Sequence, residues 1–145
     1  MINVSSISNA IYTLISSNAT VVSSGVSVDL NEFMSTDPNR TPYVNINYDG
    51  MVISPHTVGI RNPWEATVRY KIIAQDESME SAQKANENLE NLTKVILDAV
   101  NTSKDLSGTV NCLVGFEVTP LNRDITEDED WLFNNEITLL AEVIG

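Results

Sequence analysis

Residues 65–118 constrain this chain more than any other stretch. They run Glu65-Ala-Thr-Val-Arg-Tyr-Lys-Ile-Ile-Ala-Gln75, then a helical segment from Ser78 to about Val100, then Thr109-Val-Asn-Cys-Leu-Val-Gly-Phe-Glu-Val118. In the first part Ala66, Val68, Tyr70 and Ile72 alternate with Glu65, Thr67, Arg69 and Lys71. Successive strand side chains point to opposite faces, so this pattern predicts a half-buried strand of an antiparallel sheet. In the second part Ala82, Ala85, Leu89, Leu92, Ile96 and Ala99 recur at three- and four-residue steps, the period of a helix with one apolar stripe. Acids at Asp76 and Glu77 suit the positive end of a helix dipole and place the helix start near Asp76–Ser78. Small residues on the stripe let the helix lie close to a sheet. Three heptads of mixed Ala and Leu give a coiled coil thinner support. The third part returns to alternation and predicts Val110, Cys112, Val114, Phe116 and Val118 as a second inward face.

Earlier in the chain, Ile7, Ile11, Leu14 and Ile15 share one face of a short helix spanning about 2–17. Residues 18–30 read as a turn and a weak strand or hairpin through Thr20-Val-Val22 and Val26-Ser-Val28. Residues 33–42, with Asp37-Pro-Asn39 and Pro42, have turn chemistry. Tyr43–Tyr48 alternates, with Val44, Ile46 and Tyr48 on one face. Asp49-Gly50 signals a turn, and residues 51–62 form a less regular return strand. Past residue 118, an acidic loop over 122–130 leads through Trp131 and Phe133 into a closing strand with Ile137, Leu139, Ala141 and Val143 inward. The resulting expectation is a single α+β domain over residues 1–145. Its sheet is mostly antiparallel, with one long helix packed on it and a short N-terminal helix.

At 145 residues a chain can bury a sizeable core without disulfides. The lone cysteine, Cys112, sits in an apolar run and is expected as a buried small hydrophobe rather than a reactive thiol. A formal charge of −12 and eight scattered Lys and Arg argue against a nucleic-acid groove or an anionic membrane surface. No apolar run reaches the roughly 18 residues of a membrane span. The N-terminus lacks the basic and apolar regions of a secretory signal, so sequons such as Asn91-Leu-Thr93 are read as chance matches.

Catalytic chemistry finds little to work with. The only histidine, His56, lies in Ser54-Pro-His56-Thr57, too close to its serine for a working dyad, and is read as a turn residue. No nucleophile elbow, phosphate loop, dinucleotide fingerprint or zinc spacing occurs. Asp124, Glu127, Asp128, Glu129 and Asp130 could present oxygens to a hard cation, but they lack the spacing of a calcium loop and read as a solvated acidic loop. Trp64 and Trp131 stand at strand entrances, where aromatics close a core or anchor an interface. Arg61 and Arg69 among many acids could serve ion pairs between subunits or a solvated surface.

The order of elements, with Thr41-Pro-Tyr-Val-Asn-Ile46, Val68-Arg-Tyr-Lys-Ile72 and Trp131 before the last strand, resembles the tail terminator (tail completion) proteins of long-tailed bacteriophages. The resemblance covers nearly the whole chain and rests on element order and local similarity rather than on an invariant motif. It implies a structural protein of the virion tail, assembled in the host cytoplasm, not an enzyme, with no cofactor and no metal. Such proteins form a hexameric ring that caps the tail tube, stops its polymerisation and meets the head connector, with DNA passing through without specific binding. Partner-facing candidates are the loops 33–42 and 124–131. The residues named for an interface are Phe33, Met34, Arg40, Arg61, Trp64, Arg69, Asp124, Glu127, Asp128, Glu129, Asp130 and Trp131. Two alternatives stand beside this: another neck or tail-connector component, and a monomeric cation- or ligand-binding domain using the acidic loop.

Overall fold

A computed structural model describes residues 2–30, 42–55, 64–125 and 131–144. Two short helices, α1 (Val4–Ser16) and α2 (Ala19–Ser23), precede β1 (Ser27–Leu30), β2 (Tyr43–Pro55) and β3 (Trp64–Ser78). The long helix α3 (Ala82–Asn101) follows, then β4 (Cys112–Ile125) and β5 (Trp131–Ile144). The strands form one five-stranded sheet in the order β1-β2-β3-β5-β4. All pairings are antiparallel except β1 with β2, which is parallel. The α+β class and the mostly antiparallel sheet are as expected.

Both helical layers lie on one face of the sheet. Helix α3 packs on β3 and β5, while α1 covers β1 and β2. Ser81 opens α3 by accepting a hydrogen bond from the Lys84 amide at 3.1 Å, which satisfies one of the free N–H groups of the first turn. The stripe expected from periodicity is the buried one: Ala85, Leu89, Leu92, Ile96 and Ala99 are in the core, and Ala82 is half-buried beside it. Val68, Tyr70, Ile72 and Ala74 of β3 meet it from the sheet, with Ile137, Leu139 and Ala141 of β5 alongside. A buried polar tether joins α1 to the sheet. The Tyr70 hydroxyl donates to the Val4 carbonyl at 3.1 Å and shares a 2.7 Å hydrogen bond with the Ser8 hydroxyl. Burial pushes the Tyr70 phenol above its ordinary pKa.

Several local expectations give way. Thr20–Val22 is helical, because Asn18 caps a single helical stretch by accepting from the Thr20 and Val21 amides. Two donors satisfied at once outweigh the strand preference of Thr and Val. Residues 26–30 therefore make no hairpin, and β1 lies parallel beside β2. Asp49-Gly50 does not end its strand either. It forms a bulge between Tyr48 and Met51, with Gly50 at φ +104°, and pairing with β3 resumes at Met51. Asp76–Ser78 stays in β3, paired with residues 131–133 of β5, so α3 starts later than expected and has no acid in its first turn. Tyr43 and Asn45 are buried with Gln75 on the face opposite the helices, where alternation predicts exposure.

The largest correction concerns β4. Val110 is buried, but Cys112, Val114, Phe116 and Val118 are exposed, so the expected inward face of this strand does not exist. Two physical causes combine. β4 is the edge strand next to β5, beyond the cover of α3. A register shift between Leu113 and Gly115 also moves the pattern by one residue. Leu113 pairs with Ala141 on the core face, while Cys112 pairs with Glu142 on the other. Below the shift, Phe116 opposes Leu139 and Val118 opposes Ile137, so both lie on the helix side of the sheet but outside its roof.

Candidate functional site

That uncovered strip is an apolar surface beside an edge strand. β4 runs for 14 residues with β5 as its only partner strand among the described residues. Apart from the Leu113 amide, which donates to the Lys104 carbonyl at 2.9 Å, its other edge has no partner strand among the described residues and is a template for a further strand. Interleaved with the exposed Glu117 and Thr119 are apolar side chains: Phe116 is 36% exposed, Val118 41%, Leu121 42% and Val114 56%. A groove of about 390 Å³ separates this strip from the flank of α3, lined by Val118, Pro120, Leu97, Thr93 and Asn135 among others. Its floor is fixed. Asn135 Nδ2 donates to Thr93 Oγ1 at 3.1 Å, and that hydroxyl donates to the Leu89 carbonyl at 2.8 Å. The backbone edge, the apolar strip and the rigid groove together fit addition of a strand from another polypeptide, with main-chain bonds for affinity and the groove for selectivity.

The opposite face is charged. Lys71 reaches Asp49 at 3.8 Å and Glu136 at 3.6 Å, and Arg69 reaches Asp49 at 3.8 Å. These contacts are exposed on the cation side and contribute little to stability. They do fix where the two cations of β3 sit. Arg69 thus has an acid of its own chain within reach while its side chain stays half-exposed.

A second concavity lies at the end of the sheet where β3 finishes. About 220 Å³ in volume, it is bounded by Thr20, Val21 and Ser24 near α2, by Val26 and Pro42, and by Asn88, Asn91, Leu92 and Val95 of α3. Asp76 projects into it from β3. Its Oδ1 accepts the Glu77 amide at 2.8 Å. Burial, the dominant cause, raises the Asp76 carboxyl above the usual range; that hydrogen bond opposes the rise and the nearby Glu77 adds to it.

Of the interface residues named from sequence, Trp64, Arg69, Asp124 and Trp131 are described, and Trp64 and Trp131 stand at opposite ends of β3. Trp131 is half-buried, packs against the core opposite Ser78 and acts as a lid. Trp64 opens β3 as expected of a strand entrance. Asp124 belongs to β4, paired with Leu132, so the acidic segment begins as strand rather than loop. Phe33, Met34, Arg40, Arg61, Glu127, Asp128, Glu129 and Asp130 lie outside the described residues, as does His56. Sequence reasoning misses Phe116 and Val118 as surface residues because alternation reports two faces, not whether a helix covers one. It misses Asp76 because Gln75-Asp-Glu77 reads as a helix start.

Among the described residues, no group of three or more His, Cys, Asp or Glu side chains could hold a metal ion. No described helix is long and apolar enough to cross a membrane. No family model matches the sequence, and no curated protein matches it.

Proposed function

We propose that this chain is a structural assembly protein of a phage tail, a tail terminator whose copies join in a ring that caps the tail tube. The reading comes from the resemblance in element order and local sequence. The observation that carries it in the fold is the long, apolar, unroofed edge at β4. Glu117, Pro120 and two register shifts interrupt this edge in the way natural edge strands are interrupted, which leaves the stretch between the shifts for a partner. Here Phe116 and Val118 border it on one side, and a subunit in a closed ring would bury them. In this role the ring stops tube polymerisation and meets the head connector, with tail tube protein and connector as partners. The charge of −12 suits a channel through which DNA slides without sticking. No catalytic residue, cofactor or metal has a part in it.

Mass measurement in solution, followed by negative-stain imaging, tests the proposal. The expected result is a ring with a mass near six times the 16.0 kDa of the chain, formed alone or on tail tubes. A strictly monomeric species at high concentration, with no binding to tail tube protein, would overturn it.

A further inference from the structure

We propose that the cleft between α2 and α3 is a receptor for one basic side chain, an arginine or lysine presented by a partner protein. This goes beyond the ring reading and does not depend on it. The acidic group of the cleft is the Asp76 carboxylate, half-buried and, among the described residues, hydrogen-bonded by the Glu77 amide. Among the described residues no ion pair involves it. Among the described residues, the polar groups lining the cleft with it are neutral: Thr20 and Ser24 from the α2 side, Asn88 and Asn91 from α3. A like charge, Glu77, acts on it from its own strand. A carboxylate withdrawn from water without a counter-ion is costly, and a cation delivered into the cleft recovers that cost.

The walls select the form of the cation. Val21, Val26, Leu92 and Val95 offer an apolar sleeve around a methylene stem. The side-chain amides of Asn88 and Asn91 can accept from guanidinium or ammonium hydrogens at the tip. Asn88 already donates its Nδ2 to the Glu77 carbonyl at 3.1 Å, which leaves its Oδ1 as an acceptor. A volume of about 220 Å³ is below the range of roughly 300–1,000 Å³ typical of whole small-molecule ligands, and suits one long side chain. A bare metal ion would want several anionic oxygens, and the cleft offers one carboxylate.

The same geometry makes Asp76 a stability-linked group. Its pKa is raised in the folded state, so the folded protein holds this proton to higher pH than the unfolded chain. Its contribution is therefore fully present below the ordinary carboxylate range and is lost as pH rises through the raised value. Asp76→Asn keeps the acceptor for the Glu77 amide and removes the charge. It is expected to raise the melting temperature at pH 7 by about 1–3 °C, and to flatten the stability profile over that window.

The binding test is a titration followed by NMR at pH 7. The probes are N-acetyl-arginine amide, its neutral counterpart N-acetyl-norleucine amide, and a short alanine peptide with one central arginine. Saturable shifts at the Asn88 and Asn91 amides are expected with both arginine probes and not with norleucine. Affinity should fall about tenfold in Asp76→Asn, and stay unchanged in Glu87→Gln, which removes an exposed acid of α3 outside the cleft. Equal binding by Asp76→Asn would reduce the effect to the general attraction of an acidic protein. Binding of the free amide but not of the peptide would rule out a partner side chain as the occupant. Tighter binding by Arg40→Ala would mean that a residue of the same chain competes for the cleft, and would likewise overturn the assignment. None of these outcomes touches the ring proposal, which stands or falls on mass.

Discussion

Leu89→Ala is expected to cost about 2–5 kcal/mol, the upper class of effects for a single side-chain truncation. Leu89 is fully buried at the middle of the α3 stripe, flanked by Ala85 and Leu92 and facing the β3 row of Val68, Tyr70 and Ile72. The cost has two parts: the lost transfer of three methyl or methylene equivalents, and the cavity that a sheet fixed on both sides cannot collapse into. Stabilities of 5–15 kcal/mol are usual for a domain, so this one change removes a large fraction. Urea melts should show a lower midpoint with an unaltered slope, since the surface exposed on unfolding barely changes. Leu97→Ala, half-buried on the flank of the same helix, should cost clearly less. Equal losses at the two positions would show that α3 does not face the sheet through Leu89.

Replacing Phe116 and Val118 together by lysine should do the reverse, sparing the fold and removing assembly. Both side chains are more than a third exposed in the subunit, so their loss should change its stability by no more than about 1 kcal/mol. Lysine on an edge strand is a natural block to pairing, because a neighbouring strand would have to bury its charge. Two cations beside the groove therefore oppose any strand docking against β4. Sedimentation should show a mass reduced to that of the monomer, with a melting temperature close to that of the parent. A ring that persists with both lysines would place the subunit contact elsewhere, while leaving the ring itself intact. A parent that never assembles would instead remove the ring proposal as a whole.

Much of the core is legible in the order of residues alone. Period assigns Val68, Tyr70 and Ile72, the α3 stripe, and Ile137, Leu139 and Ala141 inward, and the β3 and β5 residues are buried with the stripe from Ala85 to Ala99. Period succeeds there because β3 and β5 have a strand on both sides and a helix above, and α3 has the sheet below it. It fails where that condition fails. β4 carries as clean an alternation as β3, yet lies outside the roof, and a residue slips at Leu113–Gly115. Gly50 misleads for a related reason: a glycine after an aspartate signals a turn, and a bulge uses the same backbone freedom without reversing the chain. Asn18 shows the opposite error, in which one capping side chain overrides the local propensity of three residues. The cleft around Asp76 is out of reach of sequence altogether, since its walls come from separate elements whose meeting is set by topology.

The position of β5 has a consequence for how the sheet opens. β3 and β4 follow one another in the chain with only α3 between them, yet they never pair, because β5 is inserted between them. Every strand-to-strand bond that holds the described part of β4 to the sheet therefore runs to β5. Loss of β5 would split the sheet into a three-stranded piece and a lone strand, so the amides on the inner edge of β4 cannot resist exchange with solvent longer than β5 stays in place. The edge that offers itself to a neighbour thus depends on one strand alone, and a strand docked on its free side would hold it down from the other flank.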